Sequence, residues 1–472
     1  MKTGVVEPYR LPKGPNLFVD WRYVRAGAVQ WVSKDNTPLS LWGVEGQAGT
    51  RPSPMDVPKG IRIVVQKAQK SEPFLTRNKP WEHMLYCYST VIYTEACYRL
   101  WYEVSTPEHA DILCYAESKD GMVWDKPSLG IMQYQGMDAN IVFGGSLCPE
   151  TGFHGGGVFP DPSATSGERY KMVFLGKTGV CGAVSHDGLH WKQFAEPLLA
   201  LSSDTQNTAY YDDSLKRYVG FFRMWRHGRR CVGRAETDVF HRWPNPTPVL
   251  CPSPSQDASD DWYTNSKSTY PGTVDYHFMF PALYHRAVDS TELHMFSSPD
   301  GIVWIQVPGG PVLSPGPPGS WDSGCIFGGV GLVPLPNDRV GLPYTGFPVP
   351  HKYPRSLPMG SIAYALWPKE RLTALEASEE GEFTTPRLIF TGRKLLLNVQ
   401  TKRAGQVLAE AADSHGTPLP GRSFAEADPV NGDAADFPVT WKGEADLGHT
   451  VGQPVVLRFR LRAAKLFAFE FV

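Results

Sequence analysis

The sequence predicts an all-β chain in which a five-bladed β-propeller is followed by a C-terminal β-sandwich. Three observations lead to this prediction. The 472 residues include 46 Gly, 42 Pro and 12% aromatic residues, a composition that favours turns and aromatic-rich strands. A short motif containing Asp-Gly and Trp recurs between residues 118 and 304. After residue 372 the pattern changes to short alternating apolar runs separated by turn clusters.

The recurring motif reads Ser-x-Asp-Gly-x-x-Trp. Complete copies lie at 118–124, 185–191 and 298–304, and a longer, degenerate copy lies at 236–243. Asp-Gly favours a tight turn, because Gly adopts positive φ at little cost and Asp binds its own backbone. We therefore interpret the motif as architecture, with each Trp packed between neighbouring sheets in the outer part of a blade.

Strand-like runs precede each copy of the motif. Units of about 50–65 residues with about four antiparallel strands are typical of propeller blades. The runs are 84–93, 98–104 and 112–118; 157–159, 169–175 and 182–185; 208–211, 217–223 and 230–235; 268–270, 275–284 and 292–297; 325–333, 339–344 and 360–367. The last unit lacks the Trp motif. The runs 16–24 and 61–66 are expected to complete or cap the ring, which makes residues 1–372 one domain.

The segment 373–472 forms the second predicted domain. It contains one Trp, no Cys and alternating runs such as 394–399 and 455–461, with turn clusters such as 413–418 between them. This pattern is typical of a β-sandwich.

Composition excludes several classes of function. The chain has 46 Lys and Arg against 48 Asp and Glu, which argues against binding nucleic acid or an acidic membrane surface. Its eight cysteines form no C-x-x-C pair and no zinc-ligand spacing with His, so no metal site and no cofactor are expected. No apolar run approaches 18 residues, and the N-terminal octapeptide has no apolar core, so a soluble cytoplasmic protein is expected.

Two glycine-rich segments resemble catalytic loops but lack the neighbouring motif or helix that such loops require. His154 begins an H-G-G-G run like the oxyanion loop of lipases, but no G-x-S-x-G elbow accompanies it. The run 328–331 precedes no helix, so it is not a dinucleotide-binding loop. Carboxylates near the starts of inner strands are stronger candidates, because inner strands of a propeller converge on its axis.

Three short signatures resemble those of the five-bladed-propeller glycoside hydrolases, the invertase, levanase and arabinanase group, and of their bacterial relatives. These are Leu-Phe-Val-Asp at 17–20, the motif at 118–124 continued by Lys-Pro-Ser-Leu-Gly at 126–130, and Ser-Asp-Thr-Gln-Asn at 203–207. The resemblance covers nearly the whole chain. It implies hydrolysis of a glycosidic bond by a pair of carboxylates.

Matched by motif, three residues fall at the family's catalytic positions. Glu82, next to Trp81, falls at the nucleophile, Asp161 in Asp-Pro at the stabilising Asp, and Asp204 at the general acid. The invertase run Asn-Asp-Pro-Asn-Gly is absent, and Asp204 stands where these enzymes have Glu. Asp20 is a rival carboxylate, since the second Asp of the relatives' signature is a Trp here.

Each carboxylate also has a structural interpretation. Glu82 can pair with a nearby Arg, Asp161 can be a turn former, Asp204 can form a cap or an Asx-turn, and Asp20 can be structural. The resemblance also implies residues that bind sugar hydroxyls, with Trp81 as a stacking platform. These candidates are Gln206, Asn207, Arg223, Tyr263, Asn265 and Asp322, with Asn140 and His154 as weaker ones.

The sequence thus predicts an exo-acting glycoside hydrolase that removes a terminal fructosyl or arabinosyl furanoside from an oligosaccharide. Two alternatives stay open. A phosphorylase or transglycosylase would use the arginines of segment 223–230 to hold phosphate. A carbohydrate-binding propeller without catalysis would explain the missing invertase run.

Overall fold

The computed structural model describes residues 8–32, 38–43, 57–354 and 357–472. Most of the N-terminal octapeptide, in which no signal peptide is expected, lies outside them. The described chain is almost entirely β, with three single-turn 3₁₀ helices at Trp21–Tyr23, Gly145–Leu147 and Ser166–Glu168. The predicted all-β class is confirmed. No helix in these ranges has the length and apolar character needed to cross a membrane.

The chain divides into two compact units. The blade unit comprises residues 67–306 and 310–368, and the tail unit comprises 1–66, 307–309 and 369–472. The predicted boundary near residue 372 lies close to the observed one. The assignment of the N-terminal segment to the propeller is wrong, because strands Asn16–Leu17 and Arg62–Val65 pair with strands of the tail unit.

The blade unit contains five antiparallel blades of about four strands each. The first three blades are single sheets, and the fourth is interrupted so that its strands form two shorter sheets. Blade 1 is Met84–Thr94, Cys97–Ser105, Asp111–Ser118 and Ile141–Gly144; blade 2 is His154–Pro160, Tyr170–Gly176, Gly179–Ser185 and Trp191–Gln193; blade 3 is Thr208–Asp212, Arg217–Arg226, Arg229–Thr237 and Thr247–Leu250. Blade 4 is Asp260–Trp262, Ser268–Thr269, His277–Met279, Ala282–His285, Ser290–Leu293, Phe296–Ser298 and Ile305–Gln306; blade 5 is Cys325–Gly328, Val333–Leu335, Arg339–Phe347, Ser361–Pro368 and Gln69–Lys70. A small hairpin, Gln133–Tyr134 with Met137–Asp138, lies within blade 1.

The first strand of each blade is its inner strand, and hydrogen bonds join the inner strands into a closed ring. The Asn207 N–H donates to the Gly155 carbonyl at 3.0 Å, which joins blades 3 and 2. The Val330 N–H donates to the Ser89 carbonyl at 2.8 Å, which joins blades 5 and 1. The chain preceding blade 1 supplies Gln69–Lys70 as the outermost strand of blade 5, so the two ends of the ring share one sheet.

The glycines after His154 serve this close packing. A Cβ on Gly157 would lie 2.0 Å from the Asn207 carbonyl oxygen, and one on Gly155 would lie 2.0 Å from that of Thr205. The run that resembles an oxyanion loop is therefore the place where blade 2 approaches blade 3 most closely.

The Asp-Gly motifs form the predicted turns. Each follows the third strand of its blade, and the Gly residues have φ between +69° and +80°. In the first copy, Asp120 Oδ1 accepts the N–H groups of Met122 and Val123, and the Trp124 indole donates to the Gly121 carbonyl at 2.9 Å. The third copy repeats both bonds, with the Trp304 indole 3.1 Å from the Gly301 carbonyl. Trp124 packs against a core cluster shared by blades 1 and 5, and Trp304 belongs to a cluster shared by blades 3 and 4.

The tail unit is built on one six-stranded sheet whose long strands carry bulges. Its core contains Phe383, Phe459 and Trp441, each at most 1% exposed. The strands in sheet order are Asp433–Pro438, Leu395–Ala412, Val456–Phe471, Thr373–Thr384 and Arg62–Val65, with Asn16–Leu17 paired to Val456–Phe471. Tyr9–Arg10 pairs with Leu388–Ile389, and Ala28–Val32 pairs with Pro38–Gly43.

Candidate active site

A polar cavity of about 440 Å³ opens within the blade unit. It lies where the inner strands of blades 1, 2 and 4 meet the segment before blade 3 and a loop of blade 5. Three tyrosines, two histidines and one carboxylate form most of its wall. The lining residues are Tyr88, His154, Asp204, Tyr263, His351, Lys352, Tyr353 and Pro354.

Asp204 and His154 form a pair at the cavity wall. His154 is the first residue of the inner strand of blade 2, and its Nε2 lies 3.2 Å from Asp204 Oδ1. The Asp204 side chain is 63% exposed, whereas that of His154 is 20% exposed. The Asp204 carboxylate is therefore exposed to the cavity, and His154 contacts it from the more buried side.

Two further carboxylates lie on the other side of the His154 ring. Its Nδ1 is 2.7 Å from Glu103 Oε1 and 3.4 Å from Asp111 Oδ2. The contact with Glu103 is an ion pair without aligned hydrogen-bond geometry. Glu103 Oε2 accepts the Gly155 N–H at 2.7 Å, so the backbone next to His154 fixes this buried carboxylate. His154 thus lies between three acidic groups.

These charges determine the protonation of the group. Burial alone would lower the pKa of His154, but Glu103, Asp111 and Asp204 raise it far above its ordinary value. The hydrogen bond from His154, assisted by Arg223, holds the pKa of Asp204 well below its usual range. Burial raises the pKa of Glu103. At neutral pH the cavity therefore presents an imidazolium beside an ionised Asp204.

Aromatic rings surround this pair. The rings of Tyr86 and Tyr88 pack edge-on against His154, with centroid distances of 5.2 and 5.1 Å. Burial raises the pKa of Tyr88 and of Tyr263, so both phenols stay protonated and can donate hydrogen bonds at neutral pH. The Arg223 guanidinium lies 4.3 Å from the Tyr263 ring centroid and donates to the Tyr263 carbonyl at 2.9 Å.

Of the predicted site residues, Asp204, Arg223 and Tyr263 lie at or beside the cavity. The predicted role of Asp204 as the general acid does not fit its surroundings, because neighbouring positive charge keeps it ionised.

Glu82, predicted as the nucleophile or base, does not line the cavity. Its side chain is fully buried and lies 2.7 and 2.9 Å from Lys126 Nζ. The Tyr102 hydroxyl donates to Oε1 at 2.7 Å, and the N–H groups of Asn78 and Lys79 donate to Oε2 at 2.8 and 3.0 Å. Every acceptor position of this carboxylate is thus used by the fold, as in the ion-pair alternative, although the partner is a Lys.

Asp161, predicted as a stabilising Asp that stays ionised and holds a substrate hydroxyl, does not line the cavity either. The side chain is buried, 2.9 Å from Lys171 Nζ, and accepts a hydrogen bond from the Tyr218 hydroxyl at 2.7 Å. The Ser163 hydroxyl and N–H occupy its other oxygen. Burial would raise the pKa of Asp161, but the bonds from Ser163, Tyr218 and Lys171 lower it. Asp161 is ionised, as predicted, but it has no free acceptor.

Three other predicted residues are structural. Asp20 belongs to the tail unit, where it caps the 3₁₀ helix and pairs with Arg22 at 2.7 Å. Asp322 is buried and pairs with Lys70 at 2.5 Å, at the strand that closes the ring. Trp81 is 2% exposed and donates to Asn140 Oδ1, so its ring offers no free face to a sugar.

The amides Gln206, Asn207 and Asn265 join blades instead of facing the cavity. Each is at most 2% exposed. Gln206 Nε2 donates to the Ser89 carbonyl at 2.9 Å, and Asn265 Nδ2 donates to the Gln206 carbonyl at 3.2 Å. Asn207 Nδ2 binds two carbonyls of its own loop. The amides of Gln206 and Asn207, which follow Asp204 in the sequence, therefore serve the packing of the ring and not the cavity.

Sequence reasoning missed Glu103 and Asp111 and ranked His154 too low. A signal for Glu103 was present, because a carboxylate stands inside the apolar run Leu-Trp-Tyr-Glu-Val of 100–104. A charge in such a strand must have a partner when it is buried. His351 gave no local signal, since it lies in the connection between two strands of blade 5.

A metal ion is the obvious alternative occupant of this cluster. Glu103, Asp111 and His154 each offer a ligand atom, all within 4.8 Å of one another, and no other such triad occurs in the described ranges. The 2.7 Å contact between Nδ1 and Oε1 is, however, shorter than the roughly 3.3 Å that separates two tetrahedral ligands of zinc. As they stand, the residues fit an ion pair between a protonated His154 and Glu103 better than a bound metal ion.

No family model and no curated protein match this chain. Similar solved structures include an N-acetylgalactosamine deacetylase from F. plautii in complex with blood group B trisaccharide, at 14% identity over 65% of this chain and 95% of that one, with a TM-score of 0.46. A structure named glycoside hydrolase is 14% identical over 65% and 94% of the two chains, with a TM-score of 0.47. A thermostable family-43 glycoside hydrolase is 14% identical over 64% and 96%, with a TM-score of 0.42. At 14% identity and TM-scores below 0.5, these similarities do not assign a function to the chain.

Proposed function

We propose that the protein is a glycoside hydrolase whose reaction takes place in the polar cavity, between Asp204 and His154. The observation that carries the proposal is geometric: the exposed Asp204 carboxylate lies 3.2 Å from His154 Nε2, and the buried Glu103 lies 2.7 Å from the other ring nitrogen. Hydrolysis of a glycoside requires a proton donor for the leaving oxygen and a carboxylate that acts as base or nucleophile.

The two roles follow from the charges. Asp204 is ionised, so it serves either as the base that takes a proton from the attacking water or as the nucleophile that attacks the anomeric carbon. The His154 imidazolium donates its Nε2 proton to the leaving oxygen as the glycosidic bond breaks. Water supplies the hydroxyl that bonds to the anomeric carbon, and its second proton returns to His154. Glu103 and Asp111 stabilise the imidazolium throughout the cycle, in the way that a buried carboxylate orients a catalytic histidine.

The substrate class is proposed from the resemblance given above and from the wall of the cavity. Tyr353 has an exposed ring that suits the face of a sugar, whereas Tyr88 and Tyr263 are nearly buried and can contribute their hydroxyl groups to the cavity wall. A terminal fructosyl or arabinosyl furanoside is the first substrate to test, since furanosides dominate the resembling enzymes. Phosphorolysis is less favoured, because Arg229 and Arg230 are already bound to blade 4.

Carbohydrate binding without catalysis is the second candidate. It is favoured by the finding that two carboxylates matched to catalytic positions, Glu82 and Asp161, are held in buried ion pairs. It predicts binding of oligosaccharides with no turnover of any of them.

A panel of glycosyl fluorides and oligosaccharides, followed by chromatography and by NMR of the first-formed anomer, tests the proposal. Asp204→Asn and His154→Gln should each lower kcat by roughly 10²–10⁴-fold, the usual cost of removing a positioned acid or base. His190→Gln is the matched control, because His190 forms an exposed pair with Asp187 at 2.7 Å, on the turn of blade 2.

Three results would contradict the proposal. These are full activity in Asp204→Asn, an equal loss in the His190 control, or no turnover by the wild type across the panel. Activity that depends on added divalent metal and disappears with chelator would assign the cluster to a metal ion instead.

A further inference from the structure

The hairpin that joins the second and third strands of blade 3 carries an exposed tryptophan. Trp225 is 54% exposed and pairs with Arg230 across the hairpin. The ring lies against the Arg230 guanidinium, and contacts with blade 4 hold the hairpin that carries it.

The Trp225 ring belongs to a stack that begins at the cavity. Arg223 lies over the Tyr263 ring at 4.3 Å, and Arg230 lies 4.8 Å from the same ring. Arg230 also lies 4.7 Å from the Trp225 ring. Cationic and aromatic groups thus alternate from Arg223 beside Asp204 out to Trp225 at the rim. Residues 223 and 225 are two apart in one strand, so their side chains share a face of the blade.

Blade 4 anchors the hairpin. The Arg230 guanidinium pairs with Asp261 at 2.6 Å, and Arg286 binds the same carboxylate at 2.7 Å. Arg286 also donates to the Gly228 carbonyl at the hairpin tip, at 3.0 Å. Arg229 donates to two backbone carbonyls of blade 4, each at 2.8 Å. The arginines of this segment therefore fix the position of Trp225.

We infer that the exposed face of Trp225 binds the leaving-group sugar of an oligosaccharide whose terminal sugar occupies the cavity. This inference rests on the proposed function and adds a second binding position to it. A fixed aromatic face offers apolar area at low entropic cost, because the ring is already immobilised before the substrate arrives.

The test compares two substrates with the same terminal sugar. On this inference, an arabino- or fructo-oligosaccharide of three units contacts Trp225, whereas the corresponding glycosyl fluoride has a leaving group of one atom and does not. Trp225→Ala should raise KM for the trisaccharide roughly five- to fifty-fold and change that for the fluoride by less than about two-fold. Trp225→Phe should recover most of the loss.

The control is Trp21→Ala, which removes a tryptophan of similar exposure, 51%, from the tail unit and should change neither substrate. An equal effect of Trp225→Ala on both substrates, or no effect on either, would overturn the inference. If no glycoside is turned over, calorimetric titration with the trisaccharides separates the two ideas. Weaker binding by Trp225→Ala than by the wild type supports the binding position alone, and equal or absent binding refutes it.

Discussion

Replacing Glu82 by Gln separates a structural role from a catalytic one. The substitution keeps the shape of the side chain but removes its charge, so Lys126 would stay buried without a counterion. The Lys126 side chain is only 5% exposed, and its remaining partners are the Thr76 carbonyl and the Asn78 side chain. Neither of them carries charge.

The size of the effect follows from the burial of the pair. Removing one partner of a buried ion pair costs about 3–5 kcal/mol, because the other charge remains desolvated. The new amide would also face the N–H groups of Asn78 and Lys79 with a donor where Oε2 now accepts. At about 2–4 °C per kcal/mol for a unit of this size, Tm of the blade unit should fall by roughly 6–20 °C.

Thermal and urea unfolding of the full chain measure this loss, and kcat is determined at a temperature where both proteins are folded. The double variant Glu82→Gln with Lys126→Met should recover much of the stability, because no buried charge is left unpaired. We expect kcat of Glu82→Gln to stay within about two-fold of the wild type. A variant of unchanged Tm with kcat reduced 10²-fold or more would refute this reasoning and return Glu82 to catalysis.

Three further outcomes are expected. Asp161→Asn should lower Tm with little change in kcat, because the buried Lys171 keeps only the half-exposed Glu168, at 3.4 Å, as a charged partner; a loss of kcat alone would contradict this. The profile of kcat/KM against pH should show no acid limb from Asp204 above about pH 4, because its low pKa keeps the carboxylate ionised. On the alkaline side kcat/KM should fall as His154 loses its proton. An acid limb near pH 5 would contradict the assignment. Burial lowers the pKa of Lys267 to about 7, so between pH 7 and about 10 the unfolded chain binds more protons than the folded one and the free energy of unfolding should rise with pH. Lys267→Met should therefore be more stable than the wild type at pH 6. Urea unfolding midpoints should show this difference becoming smaller towards pH 10.

The architecture of the blades was predictable because its signals are local. A turn of Asp and Gly, followed by Trp, is specified within seven residues, and the bonds of Asp120 and Trp124 lie within that span. The strand-like runs 98–104 and 112–118 match Cys97–Ser105 and Asp111–Ser118 to within one residue at each end. The pairing of Gln69–Lys70 with blade 5 was not predictable, because a two-residue strand leaves no pattern.

The site was harder to predict because the use of a carboxylate depends on distant partners. Glu82 meets Lys126 44 residues later, and Asp322 meets Lys70 252 residues earlier. A motif can place a carboxylate near the start of a blade, but it cannot show which cation the fold brings beside it. His154 was ranked too low for the related reason that its three acidic neighbours come from two strands of blade 1 and the segment before blade 3.

One error could have been avoided from the geometry of a strand. Asp161 follows the inner strand His154–Pro160, whereas His154 begins it. Seven residues at about 3.3 Å each separate the two ends by roughly 20 Å, and an extended strand cannot fold back within that length. If His154 and Asp204 meet at one end of the ring, Asp161 must lie towards the other end, where it binds Lys171. A group of catalytic carboxylates drawn from inner strands must therefore be tested for strand direction as well as for the order of the blades.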